Sequence, residues 1–149
     1  MGRKIDYRAL ADFRYEIRRY LNFSARAARA AGLEPQQHQA LLAIKGLARG
    51  SKATVGWLAG RLGIRHHSAV ELGDRLEARG FVRRSRGEAD RREVLLQLTR
   101  AGERLLRELS VPHRRELRTA GPRLVEALRA AMVHGARAHA REKRRSANK

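Results

Sequence analysis

The side chains in this sequence that could do chemistry are mainly arginines and short polar groups, gathered in two runs near the middle of the chain. One run opens at Arg65 and extends over 66–75, and the other surrounds Asp90, Arg91 and Arg92. Arginine guanidinium groups bind phosphate and can pair with guanine through two hydrogen bonds in the major groove. Short polar side chains at a helix start can reach phosphates or base edges. These residue types favour recognition of double-stranded DNA.

The first run is predicted to present one face of a short helix to DNA. Val70 could touch a thymine methyl group, and Glu71 could accept a hydrogen bond from a cytosine amine. Glu71 could equally pair with Arg75 one turn later and never contact DNA, and the sequence leaves both readings open. Adjacent histidines on a helix face different ways, so no metal is expected at His66 and His67. The DNA-contacting residues predicted here are Thr54, Arg65, His66, His67, Ser68, Val70, Glu71 and Arg75.

The second run lies at the tip of a predicted β-hairpin. Arg91 and Arg92 could insert into a narrow minor groove, where the potential is most negative; a solvated charged turn is the alternative. Asp90 would repel phosphate unless it orients an arginine, either Arg92 or one on the preceding helix, and an ordinary Asx turn is its alternative role. The predicted DNA-contacting residues of the hairpin are Arg84, Arg86, Asp90, Arg91 and Arg92.

Hydrophobic periodicity predicts the elements that position both runs. Apolar residues at helical spacing indicate a helix over about 55–62, which Thr54 can cap. Gly63 allows a tight turn, and a second helix is expected over about 66–79, with Ala69, Leu72 and Leu76 facing inward. Alternating residues indicate strands over 81–85 and 93–98.

Longer helices are predicted on both sides of this unit. Two of them are expected over about 5–31 and 35–48. Thr99 caps a third helix, which Pro112 kinks or ends, and a last helix begins again at 121–122. The total is about six helices. The terminal helices carry apolar stripes that need a partner, so a dimer is expected. The stripes comprise Leu10, Phe13, Ile17 and Leu21 near one end and Leu124, Leu128 and Met132 near the other.

Composition narrows the function classes. Lysine and arginine number 34 against 15 acidic residues, a formal net charge of +19 that favours a polyanionic partner. Aromatic residues make up only 5%, too few for base-stacking platforms on single strands, and the absence of cysteine excludes cysteine-ligated zinc. No membrane-length apolar stretch or signal peptide is present, so a cytoplasmic protein is expected. No phosphate loop, nucleophile elbow or metal-ligand cluster is visible, so we expect neither an enzyme nor a cofactor.

The sequence resembles the MarR family of winged-helix transcriptional regulators. The segments that carry the resemblance read TVGWLAGRLGI, HHSAVELGDRLEARGFVRR and DRREVLLQLTRAGERLL. The resemblance implies a homodimer with interlocked N- and C-terminal helices, repression of nearby genes, and release of DNA when a small, often aromatic, ligand binds. The most specific matching residues are Asp90, Arg92, Leu98, Thr99 and Gly102, followed by Asp74, Arg75, Leu76, Glu77 and Gly80.

The predicted fold is mainly α with a small antiparallel β-wing, a winged helix-turn-helix dimerised through N- and C-terminal helices. Residues 1–34 are expected to form a dimerisation helix, 35–98 the DNA-binding lobe, and 99–149 C-terminal dimerisation helices with a basic tail. The predicted function is sequence-specific binding of double-stranded DNA by a homodimeric repressor that a small ligand relieves. The alternative is a non-specific nucleoid-type or RNA-binding basic protein, which would use charge alone.

A small aromatic or anionic effector is expected in a crevice between the dimer helices and the DNA-binding lobe, since ligand sites favour such junctions. Core packing explains the aromatic residues equally well. The predicted ligand-binding residues are Arg14, Tyr20, Phe23, His38 and Trp57.

Overall fold

The computed structural model describes residues 5–133, which form five α-helices and a two-stranded antiparallel sheet. This confirms the predicted mainly α fold with a small β-wing. The described chain forms two compact units, which we call the body (5–24 and 113–133) and the lobe (25–112). In chain order the elements are α1 (Tyr7–Ala30), α2 (Pro35–Lys45), α3 (Val55–Leu62), α4 (His66–Ala78), β1 (Val82–Arg86), β2 (Val94–Leu98) and α5 (Arg100–Val133).

Capping residues and glycines set the helix boundaries of the lobe. The Thr54 hydroxyl accepts a hydrogen bond from the Trp57 amide at 3.0 Å, which confirms it as the N-cap of α3. Gly63 ends α3 with a φ of 65°, in the left-handed region that glycine adopts without a Cβ penalty. The Gly63 turn lets α4 begin three residues later, as a helix-turn-helix requires. The second helix ends at Lys45, earlier than the expected 48, because Gly46 caps it.

The wing is built from β1 and β2 in antiparallel register. Val82 lies opposite Leu98, Arg84 opposite Leu96, and Arg86 opposite Val94. The Leu96 amide also donates to the Ala53 carbonyl at 2.8 Å, so the segment before α3 pairs with the far side of β2. The wing is therefore joined by backbone hydrogen bonds to the first helix of the motif.

The core of the lobe lies beneath the helix-turn-helix and the wing. Its largest fully buried side chains come from the turn after α1 and from α2, α3, α4 and β1: they are Leu33, Leu41, Leu58, Leu76 and Val82. Burial of aliphatic side chains of this size contributes roughly 1.5–3 kcal/mol each. The exposed face of α4 is thus presented by a packed unit.

The C-terminal helix differs from the prediction. The expectation of separate helices on the two sides of 112–121 is wrong, because α5 runs unbroken through Pro112 and Pro122. A proline in a helix interior removes one backbone donor and costs about 3 kcal/mol. Around the first proline, Leu109 and His113 are both buried, so tertiary packing holds the helical turns on each side of it.

Polar contacts join α1 to α5 within the body. A ring nitrogen of His113 lies 2.9 Å from the Ser24 hydroxyl, and the Phe23 ring meets the His113 ring edge-on at 5.5 Å between centroids. Two turns before Ser24, Glu16 approaches Arg123 at 3.7 Å. These pairs fix which turns of the two helices face each other. Within residues 5–133, no helix is both long enough and apolar enough to cross a membrane.

Candidate nucleic-acid interface

Helix α4, the predicted recognition helix, has one buried and one exposed face. Its inward residues are Ala69, Leu72, Gly73 and Leu76, which confirms the three that were predicted and adds the glycine. On the opposite side Arg65, His66, His67, Glu71 and Arg75 are exposed, while Ser68 and Val70 are half-buried. The exposed face therefore presents the predicted side chains to solvent.

Glu71 and Arg75 form the helical pair that was the alternative to base contact. Their closest charged atoms are 3.9 Å apart, and both side chains are largely exposed. Exposed pairs of this kind contribute between zero and about 1 kcal/mol. A DNA base or phosphate could displace this contact at little cost, so the pairing leaves both roles open.

At the wing tip, Asp90 makes both of the contacts considered for it. Its Oδ1 atom accepts from the Arg92 amide at 2.9 Å, as in an Asx turn, and from the Arg92 Nε at 3.4 Å. The Arg92 side chain is 94% exposed. Arg86 donates to the carbonyl of Arg91 at 3.2 Å, which ties the strand end to the tip. The aspartate thus contacts the backbone and the guanidinium group of an arginine whose side chain is otherwise exposed to solvent.

A hollow of about 320 Å³ joins the two predicted contact regions. It lies where the start of α3, the start of α4 and the wing meet. Its lining contains six of the predicted DNA-contacting residues, namely Thr54, His66, Val70, Arg84, Asp90 and Arg92. Residues far apart in sequence therefore share one concave surface, where Arg84 and Arg92 lie together with Asp90 and Glu93.

Arg84 differs from the other predicted contact residues because its guanidinium group contacts two carboxylates. Its Nε donates to Glu77 at 2.8 Å, and its Nη1 contacts Asp74. Its neighbour Arg83 donates twice to Gln97, at 3.0 and 2.7 Å, across the wing. The signal that could have revealed the Arg84 contacts is the i, i+3 spacing of Asp74 and Glu77, which puts both carboxylates on one side of α4.

Sequence reasoning missed Arg79, which closes the end of α4. Its guanidinium donates to the Gly32 carbonyl at 2.6 Å and to Gln37 at 3.3 Å, and it stacks over Phe81 at 5.0 Å. Arginine is suited to this because its planar fork donates several hydrogen bonds while its face stacks on an aromatic ring. The residue joins the start of α2 to the start of the wing.

The predicted ligand-binding residues are distributed over both units. Arg14, Tyr20 and Phe23 belong to the body, whereas His38 and Trp57 belong to the lobe. His38 is only 4% exposed, and Trp57 is half-buried against the core of the lobe. Burial raises the pKa of the Tyr20 phenol above its ordinary value, and the nearby Glu116 carboxylate raises it further. Among residues 5–133, no three histidine, aspartate or glutamate side chains lie close enough together to hold a metal ion.

Comparison with known proteins finds one family match, and it lies within the lobe. Residues 31–93 match the model of the MarR family. No curated protein matches the chain. The match spans the helix-turn-helix and the first strand of the wing. It ends before Leu98, Thr99 and Gly102, which carry part of the resemblance in sequence.

Solved structures of MarR-type proteins share the fold. AbsC from Streptomyces coelicolor, a MarR family transcriptional regulator, is 21% identical with a TM-score of 0.63, and the match covers 71% of each chain. A MepR mutant from S. aureus bound to an oligodeoxyribonucleotide is 17% identical with a TM-score of 0.62, over 96% of this chain and 99% of that one. CouR from Rhodococcus jostii RHA1, bound to p-coumaroyl-CoA, is 27% identical with a TM-score of 0.51, over 72% and 66%.

Proposed function

We propose that the chain is a member of the MarR family of winged-helix transcription regulators, whose model matches residues 31–93, and that it is a sequence-specific DNA-binding repressor. Members of this family regulate transcription and are not enzymes. The observation that carries the proposal is the shared hollow, where the recognition helix and the wing present predicted contact residues side by side. A helix of this kind fits the major groove, and an exposed arginine on the adjacent wing suits the minor groove.

Charge supports the same proposal. Each chain has an excess of 19 positive charges, so DNA phosphates would be bound with release of counterions. The structure of the MepR mutant with an oligodeoxyribonucleotide shows that a protein of this fold can bind DNA. We infer that phosphate contacts supply most of the affinity and that α4 and the wing supply the specificity.

We further propose that the protein acts as a homodimer joined through the body. Among the described residues, eleven large apolar side chains are exposed, and nine of them lie in the body: Ile5, Tyr7, Leu10, Tyr15, Leu21, Leu117, Val125, Leu128 and Met132. Apolar surface concentrated in this way is typical of an interface. An isologous dimer would present two lobes to a pseudo-palindromic operator.

Selection of binding sites tests the DNA-binding proposal directly. The full chain is incubated with a pool of random duplexes, and bound duplexes are recovered and sequenced over several rounds. A repressor of this type should enrich one motif made of two inverted half-sites about 10 base pairs apart, centre to centre. Recovery of unrelated sequences would favour the alternative, a non-specific basic protein that uses charge alone.

Repression and dimerisation need separate measurements. Added protein should reduce transcription in vitro from a promoter that overlaps the selected motif and leave a promoter without the motif unaffected. Sedimentation of the full chain at micromolar concentration should give a dimer. Activation of the promoter, or a monomer at that concentration, would contradict the corresponding part of the proposal.

The last part of the proposal is that a small aromatic or anionic effector relieves repression. CouR, which shares this fold, was solved with p-coumaroyl-CoA. Such an effector must bind the DNA-free state better than the DNA-bound state, because a ligand with equal affinity for both shifts nothing. A panel of aromatic acids and acyl-CoA thioesters should contain a compound that weakens operator binding. If no member changes the operator affinity, this part is wrong while the DNA-binding proposal stands.

A further inference from the structure

We propose that Arg84 is a positioning residue, which holds the wing against the recognition helix, and that it does not itself contact DNA. The inference rests on the proposed function, since it concerns how the two DNA-reading elements keep their relative orientation. It also revises one predicted contact, because Arg84 was grouped with the groove-facing arginines on the basis of its charge alone.

Arg84 makes three contacts with α4, and both its backbone and its side chain take part. Its backbone amide donates to Glu77 Oε1 at 3.2 Å and its Nε donates to Glu77 Oε2 at 2.8 Å. Its Nη1 contacts Asp74 Oδ1. The Glu77 carboxylate therefore accepts hydrogen bonds from the backbone amide of Arg84, on the outer edge of β1, and from Nε of its guanidinium group. The Asp74 carboxylate contacts Nη1 of the same group.

These contacts give the wing a second point of attachment to the recognition helix. The first is at the start of the strand, where the Phe81 amide donates to the Leu76 carbonyl at 3.0 Å. Arg84 lies three residues further along, a distance of about 10 Å at the rise of an extended strand. The bond from Leu96 to Ala53 holds β2 against the start of α3 at the same level of the hairpin, so the Arg84 contacts fix the other strand, β1, relative to α4.

The charge and exposure of the site argue against direct contact with DNA. The Arg84 side chain is 34% exposed, compared with 94% for Arg92. Arg84 faces two carboxylates, so the local formal charge of the three side chains is negative. A phosphate approaching this arginine would meet Asp74 and Glu77 as well, which electrostatic repulsion disfavours.

Neutralising Glu77 distinguishes a positioning role of Arg84 from a phosphate-binding role, because the two roles predict opposite changes in operator affinity. If Arg84 bound phosphate, Glu77→Gln would free it and remove a negative charge near DNA, so operator binding should tighten. If Arg84 positions the wing, the same substitution loosens the wing and operator binding should weaken, by about tenfold if one good groove contact is lost. The matched control is Glu88→Gln, which removes the same charge at the exposed wing tip, and it should leave binding unchanged or tighter.

Arg84→Lys provides a second comparison. Lysine keeps the positive charge but has no planar fork that could bridge two carboxylates. A positioning role predicts weaker operator binding by the lysine variant, whereas a simple phosphate contact predicts binding close to wild type. Thermal unfolding of each variant shows that the protein analysed is folded.

A DNA-independent measurement separates failure of this inference from failure of the proposed function. The chain has no cysteine, so His67→Cys on α4 and Ala89→Cys on the wing give unique sites for spin labels. Labelled chain, diluted with unlabelled chain, should show a narrow distance distribution that broadens on Arg84→Gln. If the distance distribution broadens but the selection of binding sites enriches no operator, the positioning role stands and the proposed sequence-specific DNA binding is wrong. An unchanged distribution, or binding by Glu77→Gln at least as tight as by Glu88→Gln, would overturn the inference.

Discussion

At the start of α5 the hydroxyl of Thr99 accepts a hydrogen bond from the backbone amide of Gly102 at 3.1 Å. The same hydroxyl donates to the Gly80 carbonyl at 2.6 Å, and the Thr99 amide donates to the Phe81 carbonyl at 3.0 Å. A Cβ atom on Gly102 would overlap that Phe81 carbonyl. The helix cap and the close approach of the glycine together join α5 to the beginning of the wing.

Gly102→Ala should destabilise the protein by about 1–3 kcal/mol, because the added methyl group meets backbone that cannot move aside without disturbing the Thr99 contacts. Urea unfolding measures the loss. Gly60→Ala is the matched control, since Gly60 lies within α3 and a Cβ there meets nothing within 4 Å. Because alanine has a higher helix propensity than glycine, Gly60→Ala should raise the free energy of unfolding by up to about 1 kcal/mol. Equal unfolding free energies for the two variants would contradict the steric argument.

Glu103 should titrate below its ordinary pKa. Lys45 donates a hydrogen bond to the carboxylate at 2.6 Å and lowers the pKa of Glu103, and its charge lowers it further. Side-chain NMR titration of wild type and Lys45→Met measures the shift, which the methionine variant should largely abolish. The sign follows from linkage: this contact stabilises the fold at pH values above the ordinary glutamate range and is lost as the pH falls through the lowered pKa. A pKa that is equal in the two proteins would show that the pair does not persist in solution.

Tyr20 should ionise above its ordinary range, because burial raises the pKa of its phenol and the carboxylate of Glu116 adds to the effect. Glu116→Gln removes the charge and leaves the burial, so the Tyr20 pKa should fall part of the way back. Titration followed by ultraviolet absorbance of tyrosinate measures this pKa. Comparison with Tyr20→Phe shows which part of the signal of the three tyrosines comes from Tyr20. Glu126→Gln is a control of equal charge elsewhere on α5. If both glutamine variants shift the titration equally, the effect is one of net charge.

Arg92→Ala should weaken operator binding by about 1–3 kcal/mol, the contribution of a good groove contact. The substitution removes an exposed charge that Asp90 orients, so stability should change little. Arg8→Ala is the control, because Arg8 is equally exposed but lies in the body beside Asp12. Equal weakening by both variants, measured by fluorescence anisotropy with a labelled operator duplex, would mean that overall charge, and not the wing tip, determines affinity.

Sequence reasoning succeeded where local signals decide the structure. Thr54, Gly63 and Thr99 act as predicted, because a cap or a positive φ depends on neighbours within a few residues. The alternation that indicated the wing is similarly local, and the strands begin within about a residue of their predicted starts. The motif residues that resembled the MarR family lie in these same local features.

The features that were missed depend on distant parts of the chain. Pro112 is a helix breaker by propensity, yet α5 continues through it because buried residues on both sides are held by packing. Arg84 was judged by its charge, whereas its contacts come from carboxylates on a different element. Arg79 was passed over for the same reason, since the carbonyl that it binds is 47 residues away in sequence.

The ratio of two dissociation constants tests the central claim most directly. The full chain is titrated at one fixed salt concentration against the selected operator duplex and against a duplex with the same bases shuffled. A recognition helix and wing that read sequence predict tighter binding to the operator by a factor of about 10³ or more. A ratio near one would show that the lobe binds DNA through charge alone and would contradict the assignment of α4 and the wing as readers of sequence.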